Sequence, residues 1–226
     1  MSLIDDVIKY YAARAPVYDE TAGYMDPEAE QLRVSIKARY QKMFAGHAVL
    51  EIACATGYWT ATVAASAKSV FAVDINPAVI SQAKERCRNL SNVKFQIADA
   101  YILKDVPTGF SAAFGILWWS HVPKERIKAF FSALHGKLLP GALVMFVDQL
   151  PYDGHVRRQD CTGNTIEQRS LPCGSSFEVV KNFPTEENVR DTLSGMADNI
   201  QYIERPDEKS WDVIYNVKKQ SPVGKT

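Results

Sequence analysis

Apolar, often β-branched runs recur through the middle of the chain at 47–52 (HAVLEI), 69–74 (SVFAVD), 93–97 (VKFQI), 111–118 (SAAFGILW) and 142–148 (ALVMFVD). Each is short enough for a strand, and consecutive apolar positions mark strands buried on both faces. Between them the pattern changes to that of helices. Residues 57–67 are alanine-rich, 77–90 open with Pro77 behind a capping Asn76, and 123–138 open with Pro123 and stop before Pro140-Gly141. This alternation predicts an α/β fold, a doubly wound and mostly parallel sheet covered by helices.

Outside the core the pattern differs. Two helical segments, 3–14 and 27–44, precede the first strand and are split by APVYDETAGYMD. After residue 150 comes a polar stretch read as a loop, PYDGHVRRQDCTGNT. IEQRSLPCGSSFEVVKNF then reads as a hairpin around Pro172-Cys173-Gly174. A short helix near 185–197 and a last strand near 211–217 (WDVIYNV) follow. The expected organisation is one domain over 1–226, with an N-terminal helical cover (1–44), a core (45–150) and a hairpin with C-terminal strands (151–226).

At 226 residues, 46% hydrophobic and 23% charged, the chain is long enough for one sizeable core. Its apolar runs fall short of the roughly 18–20 residues that span a bilayer, and MSLIDDVIKYY lacks the basic start and apolar core of a signal peptide. A soluble, cytoplasmic protein with no membrane partner is expected. Twenty-six basic residues balance 26 acidic ones, so no global positive field favours a nucleic-acid partner. Cys54, Cys87, Cys161 and Cys173 show neither C-x-x-C spacing nor a nearby His cluster; they read as reduced structural thiols, and no metal is expected.

Candidate chemistry begins at the end of the first strand, in VLEIACATGYWT. In open parallel sheets ligands bind outside the carboxyl ends of strands, beside the first βα turn. Here an acid, Glu51, precedes small residues at every second position: Ala53, Ala55 and Gly57. A dinucleotide-binding oxidoreductase needs a pyrophosphate loop of different spacing, and a carboxylate so close would repel the phosphates. A ligand with an ammonium group, no phosphate and a ribose suits the acid instead. S-adenosylmethionine has these features. Asp74, closing the second strand, is placed to accept hydrogen bonds from both ribose hydroxyls, and Asp99 in QIADAY follows the third strand.

These residues resemble the E/D-x-G-x-G-x-G loop and strand-end acids of class I S-adenosylmethionine-dependent methyltransferases. The resemblance implies the Rossmann-like, seven-stranded fold of that class, S-adenosyl-L-methionine as cofactor and S-adenosyl-L-homocysteine as product. It also implies that Asp99 and the Ala100 amide meet the adenine, and that Thr56, Trp59, Ile75 and Ile116 complete the cofactor wall. Ala53 and Ala55 depart from the glycine pattern. Alanine is disfavoured at positive φ, so the expectation is negative φ at 53 and 55, with Gly57 the position that needs glycine's freedom. A protein that binds the cofactor without catalysis is the non-enzyme alternative.

YYAARAPVYDE places Tyr11 and Arg14 at i and i+3 on one helix face, where Arg14 can pair with the methionyl carboxylate; Tyr18 is a further candidate. In GILWWSHVPKER, one of Trp118 and Trp119 is expected to line the pocket. Trp119 is taken for the acceptor side. His121 is a candidate general base for a neutral hydroxyl or amine, or else a structural hydrogen-bonder.

The segments YMD (24–26), SHVP, PGALVMFVD and QRSLPCGSSFEVVKNF further resemble the phosphonate O-methyltransferase of dehydrophos biosynthesis and its relatives, from about residue 10 to 190. That resemblance implies that Tyr24, Arg169 and Lys181 hold a small oxyanion acceptor. Read without it, Arg169 and Lys181 share a face if the hairpin turns over three residues and lie on opposite faces if it turns over two. The acceptor is expected to be a small molecule bearing a phosphonate, phosphate or carboxylate oxygen. A nitrogen or hydroxyl acceptor is the alternative.

Overall fold

The ten strands of the computed structural model, which describes residues 3–219, run in chain order. They are β1 (Ala48–Ile52), β2 (Ser69–Asp74), β3 (Val93–Ile97), β4 (Phe110–Ile116), β5 (Leu138–Gln149), β6 (Arg157–Gln159), β7 (Thr165–Ser170), β8 (Ser176–Val180), β9 (Ala197–Arg205) and β10 (Ser210–Val217). Residues 1–2 and 220–226, the ends of the expected domain range, lie outside the described residues. Seven strands form one sheet in the order β3-β2-β1-β4-β5-β10-β9, and β6-β7-β8 form a second, antiparallel sheet. Strands β1 to β5 pair in parallel, and β10 runs antiparallel between β5 and β9. The chain leaves β1 toward β2 on one side and later toward β4 on the other. The strand order therefore reverses there, and a crevice opens at the carboxyl ends of β1 and β4.

The helices are α1 (Leu3–Arg14), α2 (Tyr18–Thr21), α3 (Pro27–Phe44), α4 (Tyr58–Ala64), α5 (Pro77–Arg86), α6 (Ile127–His135) and α7 (Glu186–Leu193). Successive strand residues alternate between two buried layers, as the apolar runs require. Leu50, Ile52, Val144 and Phe146 pack with α6 and α7, while Val49, Ala112, Phe114 and Met145 pack with α3, α4 and α5. Helix starts follow the capping chemistry of the sequence. Asp26 and Asn76 each accept a backbone amide ahead of a proline, and Thr185 forms a capping box with Asn188. Helix α1 lies on the small sheet, where Val7 and Tyr10 pack against Ile166, Leu171, Val179 and Val180. None of the described helices is long and apolar enough to cross a membrane.

Three segments differ from the pattern-based expectation. The helix expected over 123–138 begins as a 3-10 turn and is α-helical at Ile127–His135, because β5 already starts at Leu138. Strand β6 falls inside the expected polar loop. Strand β9 (ADNIQYIER) was not expected: it is a half-buried edge strand with polar residues in its run, so its apolar signal is weak. The hairpin turns over the five residues 171–175. Arg169 stands opposite Phe177, and Lys181, four residues further on, therefore shares its face.

The β1–α4 turn corrects the expectation for its alanines. Ala53 (φ 54°), Ala55 (φ 48°) and Gly57 (φ 77°) are all left-handed, so every second residue takes the conformation that glycine adopts without strain. Amide hydrogen bonds hold the turn: Cys54 N donates to Val73 O at 3.0 Å and Ala55 N to Asp74 Oδ2 at 3.0 Å. A Cβ on Gly57 would approach Ala83 Cβ to 2.9 Å, so this position also needs glycine for space. Gly57→Ala is expected to destabilise the protein by more than about 2 kcal/mol, whereas Ala53→Gly stabilises it by about 0.5–1 kcal/mol as left-handed strain outweighs glycine's entropy. Urea denaturation measures both; equal and opposite small effects at the two sites would contradict this ranking.

Candidate active site

A cavity of about 840 Å³, counting its mouth, opens at the carboxyl ends of β1 to β4. Tyr11, Ala53, Ala55, Asp74, Ile75, Asp99, Ala100 and Ile116 line it, eight of the thirteen residues expected to bind cofactor. Asp74 accepts the Ala55 amide on one oxygen and the Asn76 amide on the other, at 3.0 and 2.9 Å. Burial raises its pKa, with those amides pulling against the rise. Asp99 accepts the Tyr101 amide at 2.8 Å. With two carboxylates and apolar walls, the cavity suits a ligand that carries hydroxyls, an amine or positive charge, and disfavours phosphates.

The remaining expected cofactor residues lie elsewhere. Glu51 is 3% exposed and lines neither cavity; it points to the α4 side of the sheet, where Thr60 donates to it at 2.5 Å. Burial pushes its carboxyl up to about 8, with the Thr60 hydroxyl opposing and Asp74 adding to the rise. Gly57 caps α4 behind the turn. Thr56 turns away from the cavity, because its hydroxyl donates to Asp19 at 2.6 Å and accepts from Arg86 at 3.0 Å. Arg14 and Trp59 line a second cavity instead. Arg14 donates to Thr21 at 2.8 Å and stacks over Tyr18, while Trp59 packs on Tyr40 and Tyr58.

This second cavity also takes Tyr24, Arg33, Arg169 and Lys181, with Glu208 the acid in its lining, so the basic side chains are kept apart from the Asp74 and Asp99 cavity. Both cavities share Tyr11, Tyr18, Ile116, Leu117 and His121. At this common wall Tyr11 bonds to His121 Nε2 at 2.8 Å, and His121 Nδ1 lies 2.6 Å from the Val180 carbonyl. The carbonyl accepts, so Nδ1 carries the proton and Nε2 takes the phenol's hydrogen. Burial, with Lys181 and Arg169 nearby, holds His121 well below its ordinary range and therefore neutral. Burial also pushes Tyr11 up to about 12. In this arrangement Nε2 is occupied by Tyr11, so it does not face an acceptor as an unengaged base.

Trp119 does not line the acceptor cavity, contrary to expectation. The 3-10 turn at Trp119–His121 carries it inward onto Phe131, Phe146 and Trp211, and Trp118 lines the first cavity instead. Lys181 is 1% exposed and donates to Asp148 and Ser120, each at 2.9 Å. Burial works against the Asp148 charge, yet Lys181 and the Ser120 amide hold the carboxyl below its usual range. Arg169 donates to the buried Glu167 at 2.8 Å and to Tyr152 at 3.1 Å, and Glu167 also receives Arg157 at 2.8 Å. These supporting acids were not singled out in the sequence. Asp148 closes the expected strand 142–148 and lies one residue before the end of β5, so the strand-tip rule would have found it; Glu167, within a hairpin strand, gives no such signal.

A family described as methyltransferase domain matches residues 49–141, which contain β1 to β4 and the first cavity's turn. Fold, strand-tip acids and matched domain together define a class I S-adenosylmethionine-dependent methyltransferase. Within that class the chain resembles DhpI. The DhpI–SAH complex is 29% identical, covers 97% of this chain and 100% of that one, and superposes with a TM-score of 0.74. The DhpI–SAM–HEP complex is 28% identical over 95% and 99% of the two chains, with a TM-score of 0.68. The N-methyltransferase NodS from Bradyrhizobium japonicum, in complex with S-adenosyl-l-homocysteine, shares the fold at 17% identity, over 85% and 89%, with a TM-score of 0.59. No curated protein matches the chain.

Because Lys181 and Asp148 are both buried, removing one leaves an uncompensated charge. Lys181→Met is expected to cost about 3–5 kcal/mol of stability, and adding Asp148→Asn to recover most of it. Urea unfolding of the single and double variants tests the coupling; additive losses would show that the two side chains act independently.

Proposed function

We propose that this methyltransferase methylates an oxyanion oxygen of a small acceptor, a phosphonate, phosphate or carboxylate, seated in the second cavity. The observation that carries the reading is the shared hairpin face of Arg169 and Lys181, which brings two cations into the same cavity as the Tyr24 phenol and Arg14. DhpI was solved with SAM and HEP together, which supports a two-ligand site in a protein of this likeness. In this reading residues 1–44 form the cover, 45–150 hold the cofactor and 151–226 supply the acceptor side.

S-adenosylmethionine, bound in the first cavity, supplies a methyl carbon already activated on a sulfonium for direct displacement. The chain's part is then to position. Asp74 takes the ribose hydroxyls, Asp99 and the Ala100 amide take the adenine, and Glu51, where it is ionised, supplies negative charge beneath the turn. Arg169, fixed by Glu167, and Lys181, fixed by Asp148, turn the acceptor oxyanion toward the common wall. An ionised oxygen needs no base, in keeping with a His121 engaged by Tyr11. A second reading, a hydroxyl or amine acceptor, is favoured by that same pair, since Tyr11 can relay a proton to the neutral Nε2.

A methyl-transfer assay over small phosphonates, phosphates, carboxylic acids and amines, read by mass spectrometry, separates the two. Arg169→Met is expected to raise the acceptor KM about 100-fold, as two charge-assisted hydrogen bonds are lost, with S-adenosylhomocysteine affinity near wild type. Parallel loss of both affinities would sink the assignment.

Glu51 predicts a pH effect. Its folded-state pKa is raised, so it is protonated below about 8 and ionises as pH approaches that value. A bound ammonium favours the ionised form, so wild-type affinity for S-adenosylhomocysteine should rise about tenfold from pH 6.5 to 8. Glu51→Gln should match wild type at pH 6.5 and stay flat. Titration calorimetry at both pH values checks this, and a flat wild-type profile would exclude the charge role.

A further inference from the structure

The second cavity encloses about 1700 Å³, counting its mouth, about twice the first. Along the N-terminal cover its wall is a row of tyrosines with a guanidinium at each end. Arg169 stands over Tyr10 at 5.7 Å, and Tyr10 meets Tyr11 at 5.0 Å. Tyr11 meets Tyr18 at 6.2 Å, Tyr18 meets Tyr24 at 6.3 Å, and Arg33 stands over Tyr24 at 5.4 Å. All of these side chains line the cavity.

The two ends differ in how their charge is met. At the hairpin end Arg157, Arg169 and Lys181 face Glu167 and Asp148, three cations against two buried acids. Arg33, half-buried on α3, makes no ion pair among the described residues. Two of its five N–H groups donate to the Gly23 and Ala22 carbonyls, at 2.8 and 3.4 Å, and the others have no acceptor among those residues. Nearby carboxylates are already engaged: Glu30 takes Lys37 and Tyr58, and Glu208 takes Arg39 at 2.8 and 2.7 Å. Arg14 stands over Tyr18, a side chain shared with the cofactor cavity, and is kept for the methionyl carboxylate. A guanidinium on a cavity wall with donors to spare and no counter-charge is matched by an anionic group of a ligand.

We propose that the acceptor is a diacid: one oxyanion lies at Arg169 and Lys181 and accepts the methyl group, and a second, a carboxylate or phosphonate, lies on Arg33. The assignment rests on the oxyanion reading of this cavity. The spacer between the acids follows the tyrosine row, whose ring faces suit methylene groups and whose hydroxyls suit polar ones. Tyr24 is a neutral phenol there, since burial pushes its pKa up to about 12. Transfer forms an O–CH3 bond at the hairpin end as the S–CH3 bond of the sulfonium breaks. The second acid is unchanged, so the product is a monomethyl ester, and Arg33 selects acceptor length rather than reactivity.

The test is a steady-state methyl-transfer assay over ω-phosphonocarboxylates of increasing chain length, each against the alkylphosphonate and the alkanoate of the same length. At its best length the diacid should exceed both monoacids in kcat/KM by about tenfold, the scale of one charge-assisted hydrogen-bonded contact. Arg33→Met should lose that preference. A variant that is weaker on every acceptor but keeps the wild-type ratio overturns the assignment, because a purely structural Arg33 would act in that way. Should Arg33→Met fail to fold, wild type alone decides: a tenfold gap at one length supports the proposal. Equal use of diacids and monoacids at every length overturns it and leaves the oxyanion reading standing. Methylation of hydroxyls or amines with none of the acids defeats both together, a result distinct from equal use.

Discussion

The Asp74 carboxylate is the constraint on which the site depends. One oxygen receives the Ala55 amide from the β1–α4 turn and the other the Asn76 amide at the start of α5. Two adjacent strand tips are thereby tied to a single charged group. The turn needs the tie, since two alanines in left-handed conformation cost about 1–2 kcal/mol each. Hydrogen bonds to a charged group contribute about 1.5–3 kcal/mol, enough to offset that strain. The alanines therefore keep the turn's geometry at a cost in strain, and their methyl groups form part of the cavity wall.

Charge sorting follows from where the strands and the hairpin end. Acids close β2 and the loop after β3, so the first cavity is acidic; the hairpin face and α1 bring arginines and a lysine to the second. Each cation of the hairpin is held by a buried acid, Lys181 by Asp148 and Arg169 by Glu167. That pairing costs net charge but fixes direction, and orientation matters more than charge where the reaction is limited by positioning. The wall between the cavities is apolar apart from three side chains, Tyr11, Tyr18 and His121. Its one internal hydrogen bond joins the N-terminal cover to the core.

Strands, flanking helices and the strand-tip acids were legible because each depends on local periodicity or on a residue's place at an element's end. The helical segments 3–14 and 27–44 read from the sequence match α1 and α3, and α3 opens behind the Asp26 cap. Long-range partners could not. Thr56 sits in the loop yet turns toward Asp19, 37 residues earlier, and Arg86, 30 residues later. Trp118 and Trp119 are indistinguishable in sequence; a three-residue 3-10 turn decides which ring goes inward. The strain at Ala53 and Ala55 was hidden because propensity gives the cheap conformation, whereas Asp74 imposes the costly one. Strand β9 escaped because an edge strand's half-buried faces leave little apolar signal.

The cover and the cofactor turn form one mechanical unit. Asp19 on α2 accepts from both Thr56 and Arg86, so the turn, the cover and α5 meet at a single carboxylate. Gln82 on α5 donates to the Ala15 carbonyl at 3.0 Å, and Tyr24 stacks on Tyr58 at 3.9 Å, adding two further links between the N-terminal segment and the core. A change at the turn is thus felt by the cover within one hydrogen bond. Tyr11 and Arg14, carried by the preceding helix, take their places against the two cavities through the same links. For that reason residues 3–44 act as a wall of the site, built on the turn that they cover.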